Sequence, residues 1–303
     1  MPNVEYPRHS PHFLACRRAV RPHLTAGPVT VGLSGGADSL ALVAAAVAEG
    51  QEVLAVVVDH QVQEGSGAVA RRAFAQAEAL GASAQLRAVR VPPGNLEAQA
   101  RQVRYQALSE PGHEVWVAHT LDDQAETFLL GALRGNPTGM SPRAGHIVRP
   151  FLGIRRADTV GACAELGVEP WHDPHNADPA FRRVALRQEI LPALHRLIGG
   201  DASEPLAAAA ERSAADNELL AELAGTPTDD CAELAAQPGP LRRRRLAAWL
   251  RECGVGVTGA SISMVEALCI DWHGQGGVAV GQRNGRRLEV RRSNGRLSLS
   301  EQA

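Results

Sequence analysis

Lysine is absent from this sequence of 303 residues, and all 31 basic side chains are arginine. Arginine suits bidentate contacts with phosphate groups, but a GC-rich genome produces the same bias, so the absence alone assigns no function. Aromatic residues are also scarce at 4%, whereas hydrophobic residues of all types reach 45%. That fraction supplies a substantial core and excludes a chain that is disordered throughout.

Long apolar runs and paired cysteines are missing as well. No run reaches the roughly 18 apolar residues that a membrane-spanning helix needs. Residues 1–12 contain prolines and no apolar segment of the secretory type, which predicts that they are not a secretory signal. The five cysteines are odd in number and form no C-x-x-C pair, which argues against a disulfide framework and against a zinc or iron–sulfur site. These absences together predict a cytoplasmic protein.

Charge is distributed unevenly along the chain. The formal net charge is only −2, yet residues 241–303 contain eleven arginines and five acidic residues, a local balance of +6. The run Arg242 to Arg245 lies in this segment. A local basic surface can steer nucleic acid even when the whole chain is nearly neutral. A solvated helix face is the alternative interpretation of the run.

The first half of the chain alternates apolar strands with helices. Strands are predicted at residues 29–33, 53–58, 85–91 and 114–118, each followed by a helical segment. Strands that are apolar throughout and separated by helices favour a parallel sheet covered on both faces. The predicted fold class is therefore α/β, with a Rossmann-like, doubly wound parallel sheet.

The second half of the chain predicts a further, smaller domain. Helices are expected at residues 153–166, 181–197, 204–223, 241–252 and 261–269. The turns Asn284-Gly285 and Asn294-Gly295 then indicate hairpins between short strands. We expect a catalytic domain at 1–200, a helical connector at 201–225 and a small α+β domain at 226–303.

The strongest local signal is the segment Ser34-Gly35-Gly36-Ala37-Asp38-Ser39, which we call the phosphate loop. It follows the first strand and opens a helix, so its glycines and the helix N-terminus can hold a phosphate group closely. It lacks the G-K-[ST] of a Walker A loop. Asp38 would repel a bare phosphate and is therefore predicted to be a Mg²⁺ ligand. An ordinary glycine turn with a capping residue is the alternative.

A second signal, the acidic segment of residues 119–127, follows the fourth strand. Asp123 and Glu126 are three residues apart and share one helix face. Thr120 and Asp123 also match a capping box, which is the structural alternative. In a sheet of order 3-2-1-4-5 the first and fourth strands are neighbours, so the phosphate loop and the acidic segment would face one crevice.

The helix that leaves the third strand carries two arginines on one face. Arg101 and Arg104 could hold a phosphate or neutralise charge in the crevice, and a solvated helix face is the alternative. His60, at the end of the second strand, is expected to have a structural role.

These segments together resemble one enzyme family. The chain is similar to the tRNA(Ile)-lysidine synthetases, within the PP-loop ATP pyrophosphatases. The similarity rests on the phosphate loop, on V-D-H at 58–60, on E-A-Q-A-R-x-x-R-Y at 97–105 and on A-H-x-x-D-D-Q-A-E-T at 118–127. It continues through R-P-F-L at 149–152 and W-x-D-P-x-N-x-D at 171–178 to Leu191-Pro192, and so covers about residues 29–195.

The resemblance implies a specific reaction. ATP would adenylate the wobble cytidine of tRNA(Ile), and L-lysine would then displace AMP to give lysidine. ATP, with Mg²⁺ at Asp38, would bind the phosphate loop, and Arg101 and Arg104 would support catalysis. Asp123 and Glu126 would hold the lysine ammonium or accept its proton. The arginines implied to contact the tRNA are Arg149, Arg182, Arg183 and Arg187.

Some features depart from the family pattern and leave alternatives open. The glycine-rich stretch at 135–145 is short, and Val184-Ala185 replaces a commoner pair. The larger second C-terminal domain of some members is absent, so the chain resembles a short form. Another PP-loop reaction such as tRNA 2-thiolation, or a non-catalytic nucleotide-binding paralogue, remains an alternative. The sequence leaves the oligomeric state open, with a homodimer as one alternative.

Overall fold

The chain divides into two units of unequal size, Met1–Ala214 and Ala215–Ala303. The structure is a computed structural model that describes residues 6–61, 65–92, 96–173 and 178–302. None of the helices in these ranges combines the length and apolar character that a membrane span requires. Asn176, the asparagine of the W-x-D-P-x-N-x-D motif identified in the sequence, lies outside the described residues.

A six-stranded sheet forms the centre of the first unit. Its order is β3-β2-β1-β4-β6-β5, and every pairing is parallel except that of β5 with β6. This confirms the doubly wound parallel sheet, including the predicted order of its first four strands. The strands are β1 Val29–Leu33, β2 Val53–Asp59, β3 Ser83–Ala88, β4 Glu114–Trp116, β5 Arg143–Ala144 and β6 Ile147–Val148.

Helices cover both faces of this sheet. The α-helices of the first unit in the described ranges are α1 Pro11–Val20, α2 Ala37–Ala48, α3 Ser66–Ala79, α4 Leu96–Ser109, α5 Leu121–Ala132, α6 Arg156–Glu165, α7 Arg182–Ala185, α8 Leu191–Ile198 and α9 Ser203–Ala224, of which α9 continues into the second unit. Helix α2 is buried almost all round because it packs against the sheet, α1 and α6. Its alanine-rich sequence permits this close approach on several sides. Phe13, Trp116 and Phe151 are the largest apolar side chains that are fully buried in this core.

Three features of the first unit differ from the sequence prediction. Helix α1 was not predicted, because its arginines interrupt the apolar pattern, although Phe13 and Val20 reach the core. The two-residue strands β5 and β6 lie in and beside a segment predicted as loop and are too short to show periodicity. The single helix predicted at 181–197 contains a π-helical turn, Leu186–Ile190. Pro192 follows it and has no N–H to continue regular α-helical bonding.

The second unit combines three helices with an antiparallel sheet. The helices are α10 Cys231–Ala235, α11 Gly239–Glu252 and α12 Gly259–Ile270. The strands are β7 Val278–Arg283, β8 Arg286–Ser293 and β9 Arg296–Gln302. The strands pair in sequence order, and Asn284 and Asn294 adopt positive φ angles of 52° and 49° in the turns, as the N-G signals predicted. The compact units divide inside α9, so the connector at 201–225 stays a prediction.

The arginine run of α11 is largely engaged inside the second unit. Arg242 and Arg243 each donate to the buried carboxylate of Glu266 at 2.8 Å. Arg245 is buried and donates to Glu233 at 2.6 Å. Arg242 and Arg245 are therefore largely withdrawn from the surface, whereas Arg243 keeps an exposed side chain although it is paired, and the contact of this run with tRNA stays a prediction.

Gly139 tests how tightly the connection after α5 packs on α9. A Cβ atom at this position would lie 2.4 Å from the carbonyl oxygen of Ala210, which is backbone and cannot turn aside. We expect Gly139→Ala to lower the free energy of unfolding by about 2 kcal/mol, the usual cost of overpacking. Gly153→Ala is the control, because nothing lies within 4 Å of its Cβ. Equal melting temperatures of the two variants would contradict the packing described.

Candidate nucleotide site

A cavity of about 810 Å³ opens where β1, β2 and β4 end and α2 and α5 begin. Its volume is in the range of sites that bind small molecules and cofactors. The walls are largely aliphatic, with Val56, Val69 and Leu108 among them. Its polar and charged lining consists of Ser34, Asp38, Ser39, Asp59, His60, Gln61, Ser66, Arg104, His119, Asp123 and Asp173.

The phosphate loop has a shape that its glycines and serines make possible. Gly35 has a φ of +82°, and a Cβ there would lie 3.2 Å from the Cβ of Ala73. The backbone N–H of Ser34 donates to Ser39 Oγ at 3.2 Å, and the Ser39 hydroxyl donates to the Gly36 carbonyl at 3.0 Å. Within the part of the chain that the structure describes, no side chain caps the first turn of α2. The start of α2 therefore suits an anion.

Asp38 lies in the first turn of α2 and lines the cavity. One carboxylate oxygen accepts a hydrogen bond from the Thr159 hydroxyl, and the other lies 3.8 Å from Arg156 Nε. Burial raises the pKa of Asp38 above its usual value, and Thr159 and Arg156 oppose that shift only in part. A cation near this carboxylate would stabilise its ionised form.

Asp123 combines a capping role with an ionic one. Its Oδ2 accepts from the backbone N–H and hydroxyl of Thr120 at 2.8 and 2.9 Å, and Thr120 caps α5 in return. The predicted capping box is confirmed. Its Oδ1 accepts from Arg156 Nη2 at 2.6 Å. Burial acts to raise the pKa of Asp123, but Arg156 and Thr120 outweigh it and hold the pKa below its usual value.

Glu126 lies one turn further along α5 and is fully buried. Its Oε1 accepts from Arg187 Nε at 2.9 Å and from Arg156 Nη1 at 3.3 Å. Arg183 Nη1 lies 4.0 Å from Oε2. Asp123 and Glu126 thus share a face, but only Asp123 lines the cavity. Glu126 was one of the two acids predicted to hold the lysine ammonium. In the structure its carboxylate is surrounded by arginines.

The four arginines predicted to contact tRNA occupy different environments. Arg183 and Arg187 pair with Glu126. Arg149 is only 8% exposed and donates to the Ser141 carbonyl at 2.7 Å, which argues against the surface contact predicted for it. Arg182 is exposed. Of the four, Arg182 is the side chain most accessible to a polyanion.

The two arginines of α4, Arg101 and Arg104, also lie in different environments. Arg104 lines the cavity, and its Nε is buried without a hydrogen-bond partner among the described residues. Arg101 is exposed, with its guanidinium 4.9 Å from the centre of the Tyr105 ring. Arg104 is therefore the one of the pair that a ligand in the cavity can reach.

Sequence reasoning included His119 in the acidic segment without giving it a role, and it did not single out Arg156. Arg156 occupies the first turn of α6, where a positive side chain opposes the helix dipole, and this unusual choice was the available signal. His119 lines the cavity, and its Nδ1 is buried and unpartnered. Burial lowers the pKa of His119 to about 4, so the imidazole is neutral near pH 7. His60, expected to be structural, also lines the cavity, and burial lowers its pKa.

The neutral state of His119 predicts a pH-dependent stability. Below pH 6.5 the unfolded chain takes up a proton that the folded chain accepts only near pH 4, so acidification favours unfolding. We expect His119→Gln to lose less stability than the wild type between pH 7.5 and 5, by up to roughly 2 kcal/mol. Melting temperatures across this range measure it, with the exposed His9→Gln as control. Identical acid sensitivity in His119→Gln and the wild type would contradict a buried neutral histidine.

The comparisons with known proteins agree with this geometry. A family model described as a PP-loop domain matches residues 14–194, and one described as a TilS substrate binding domain matches residues 230–298. The chain is 49% identical to the tRNA(Ile)-lysidine synthase of Corynebacterium glutamicum, over 99% of this chain and 98% of the relative. It is 54% identical to that of Corynebacterium diphtheriae, over 97% and 99%.

A solved structure supports the fold. The U34-tRNA thiolase NcsA from Methanococcus maripaludis, with its [4Fe-4S] cluster, superposes with a TM-score of 0.54 at 16% identity. The match covers 70% of this chain and 87% of the thiolase, and at that identity it reports the fold alone. The specific finding is that the two synthases are 49% and 54% identical to this chain over nearly its full length. It shows that the chain belongs to the tRNA(Ile)-lysidine synthase family.

Proposed function

We propose that this protein ligates L-lysine to the C2 carbon of the wobble cytidine of tRNA(Ile), with conversion of ATP to AMP and pyrophosphate. The observation that carries the proposal is that Asp38 of the phosphate loop and Asp123 of the acidic segment line one cavity. That cavity can receive an anionic nucleotide beside a carboxylate suited to a cationic amino acid. The wobble base must leave its stack in the anticodon loop to enter it.

In the first step the C2 oxygen of cytosine attacks the α-phosphorus of ATP, and pyrophosphate leaves. The N–H groups at the start of α2 bind the phosphates, and Arg104 offsets their charge. Asp38 lines the cavity here, and its carboxylate would be the hard oxygen ligand that holds Mg²⁺. The described residues include no cluster of three ligating side chains that could hold a metal ion. The ion would supply neutralisation of phosphate charge.

In the second step the ε-amine of lysine attacks C2, the C–O bond to AMP breaks so that AMP leaves, and the amine releases its proton to water. We assign Asp123, and not Glu126, to the lysine, because only Asp123 lines the cavity. A carboxylate with a lowered pKa suits binding of an ammonium group better than acceptance of a proton. Glu126 anchors Arg156 and Arg187 behind it.

The cysteines and the cosubstrate requirement distinguish this reaction from 2-thiolation and from a non-catalytic paralogue. None of the five cysteines lines the cavity, and burial raises the pKa of Cys16 to about 12 and that of Cys163 to about 11. These thiols are protonated at neutral pH, which disfavours 2-thiolation. A non-catalytic paralogue would bind nucleotide without turnover.

The decisive measurement is pyrophosphate release with each cosubstrate omitted in turn. We expect any release to require tRNA(Ile), and continued release beyond one pyrophosphate per enzyme to require lysine as well. Asp38→Ala should abolish release while the melting temperature stays close to that of the wild type. Release that needs a sulfur donor in place of lysine would favour thiolation, and no release would favour the paralogue. Wild-type rates in Asp38→Ala at excess Mg²⁺ would contradict the role of Asp38.

We further infer that the second unit contributes affinity for tRNA through the hairpin of β7 and β8. Arg286 and Arg287 are exposed there and have no ion-pair partner among the described residues. Arg291 and Arg296, on the same sheet, pair with Glu289 and with Asp229. Unpaired guanidinium groups are the ones that release counterions when they meet phosphates.

The double variant Arg286→Gln/Arg287→Gln tests this inference. We expect weaker tRNA binding, and a salt dependence whose logarithmic slope falls by about two. Arg291→Gln/Arg296→Gln removes the same formal charge from paired positions and is the control. Dissociation constants measured at several salt concentrations between about 50 and about 300 mM give the comparison. Equal losses in both double variants would argue for a general charge effect, and no loss would reject the hairpin.

A further inference from the structure

We propose that Arg156 is a positioning residue that holds the phosphate loop and the acidic segment in one array. The proposal deepens the function proposed above and rests on it. Arg156 Nη2 lies 2.6 Å from Asp123, Nη1 lies 3.3 Å from Glu126 and Nε lies 3.8 Å from Asp38. One guanidinium thus joins carboxylates that belong to two separate helix starts, α2 and α5.

Arg156 lies behind the cavity rather than in it. Its side chain is 22% exposed and does not line the cavity, whereas Asp38 and Asp123 do. A ligand in the cavity would therefore meet the two carboxylates and not the guanidinium. Arg156 acts on the ligand through the position and charge of these acids.

The rest of the first turn of α6 reinforces the same connection. The Thr159 hydroxyl donates to Asp38, and the backbone N–H of Arg156 donates to Asp122 Oδ2 at 2.7 Å. The N–H of Leu121, where α5 begins, donates to the Ile154 carbonyl at 2.9 Å, just before α6. The start of α6 is thereby bonded to the starts of both other helices.

Electrostatics explains why an arginine is needed here. Without a cation, carboxylates from α2 and α5 would repel one another and present unneutralised negative charge to a polyphosphate. A guanidinium offers five N–H donors in one plane and can contact three carboxylates at once. The compact ammonium group of lysine, on its flexible chain, does not present donors in this fixed planar arrangement. The cost of a cation at a helix N-terminus indicates that these contacts, and not helix stability, account for the residue.

Arg155 is a matched control in the same turn. It is the residue before Arg156, and it pairs with Asp122 at 3.1 Å and with Asp201. Among the described residues, its ion pairs include none with Asp38, Asp123 or Glu126. Arg155→Gln therefore removes the same charge from the same helix start without touching the carboxylates of the cavity.

The first experiment is calorimetric titration with Mg·ATP alone, which needs neither tRNA nor lysine. We expect the affinity to fall by at least about 10-fold in Arg156→Gln and by less than about 3-fold in Arg155→Gln. In the complete reaction we expect turnover to fall roughly 100-fold in Arg156→Gln, the scale of loss for a misplaced catalytic group. Thr159→Val loses the hydroxyl that contacts Asp38 and the Arg156 carbonyl but keeps the guanidinium in place, and it should raise KM for ATP and leave KM for lysine unchanged.

Several outcomes would overturn the proposal. Affinity and turnover in Arg156→Gln within about 3-fold of Arg155→Gln would do so, and so would equal changes of both KM values in Thr159→Val. If Arg156→Gln does not fold, Arg156→Lys replaces it, and a folded, fully active Arg156→Lys enzyme would reject the need for a planar guanidinium. A wild-type protein that binds ATP but shows no lysine-dependent release would reject the proposed reaction, while the titrations would still test Arg156.

Discussion

The site depends on the parallel pairing of β1 with both β2 and β4. Val29 is in register with Val53 and with Glu114, so the three strands run side by side and their carboxyl ends meet at one edge of the sheet. Each strand of a parallel sheet must be followed by a crossover, and here α2 and α5 begin within a few residues of those ends. Backbone topology therefore brings together two helix N-termini before any side chain is considered.

Sequence patterns predicted the parts of the site that are local in the chain. The phosphate loop, the capping box of Thr120 and Asp123, and the four main strands are each encoded within about ten residues, which periodicity and turn chemistry can report. Arg156 was not predictable in this way, because its partner Asp123 lies 33 residues away and Asp38 lies much further. Such contacts follow from the packing of α6, which no local pattern specifies.

Counting charge along the sequence was misleading for the same reason. The +6 balance of residues 241–303 is correct as a sum, yet Glu266 neutralises Arg242 and Arg243 from 24 and 23 residues away. Arg242 is largely buried in its pair and its charge is withdrawn from the surface, whereas Arg243 remains exposed although it is paired. Exposed charge also lies on the β7–β8 hairpin, where short strands and a tight turn leave arginines in solvent.

The electrostatic balance of the cavity also follows from burial. His60 and His119 line it as neutral imidazoles, because burial lowers the pKa of each, so they add hydrogen-bonding groups without adding charge. Among the described residues, the charged side chains that a ligand meets are then Arg104 as a cation and the acids Asp38, Asp59, Asp123 and Asp173. A polyphosphate and an ammonium group need opposite charges at separate points. A cavity whose histidines stay neutral keeps that separation, and Arg156, from behind, prevents Asp38 and Asp123 from moving apart.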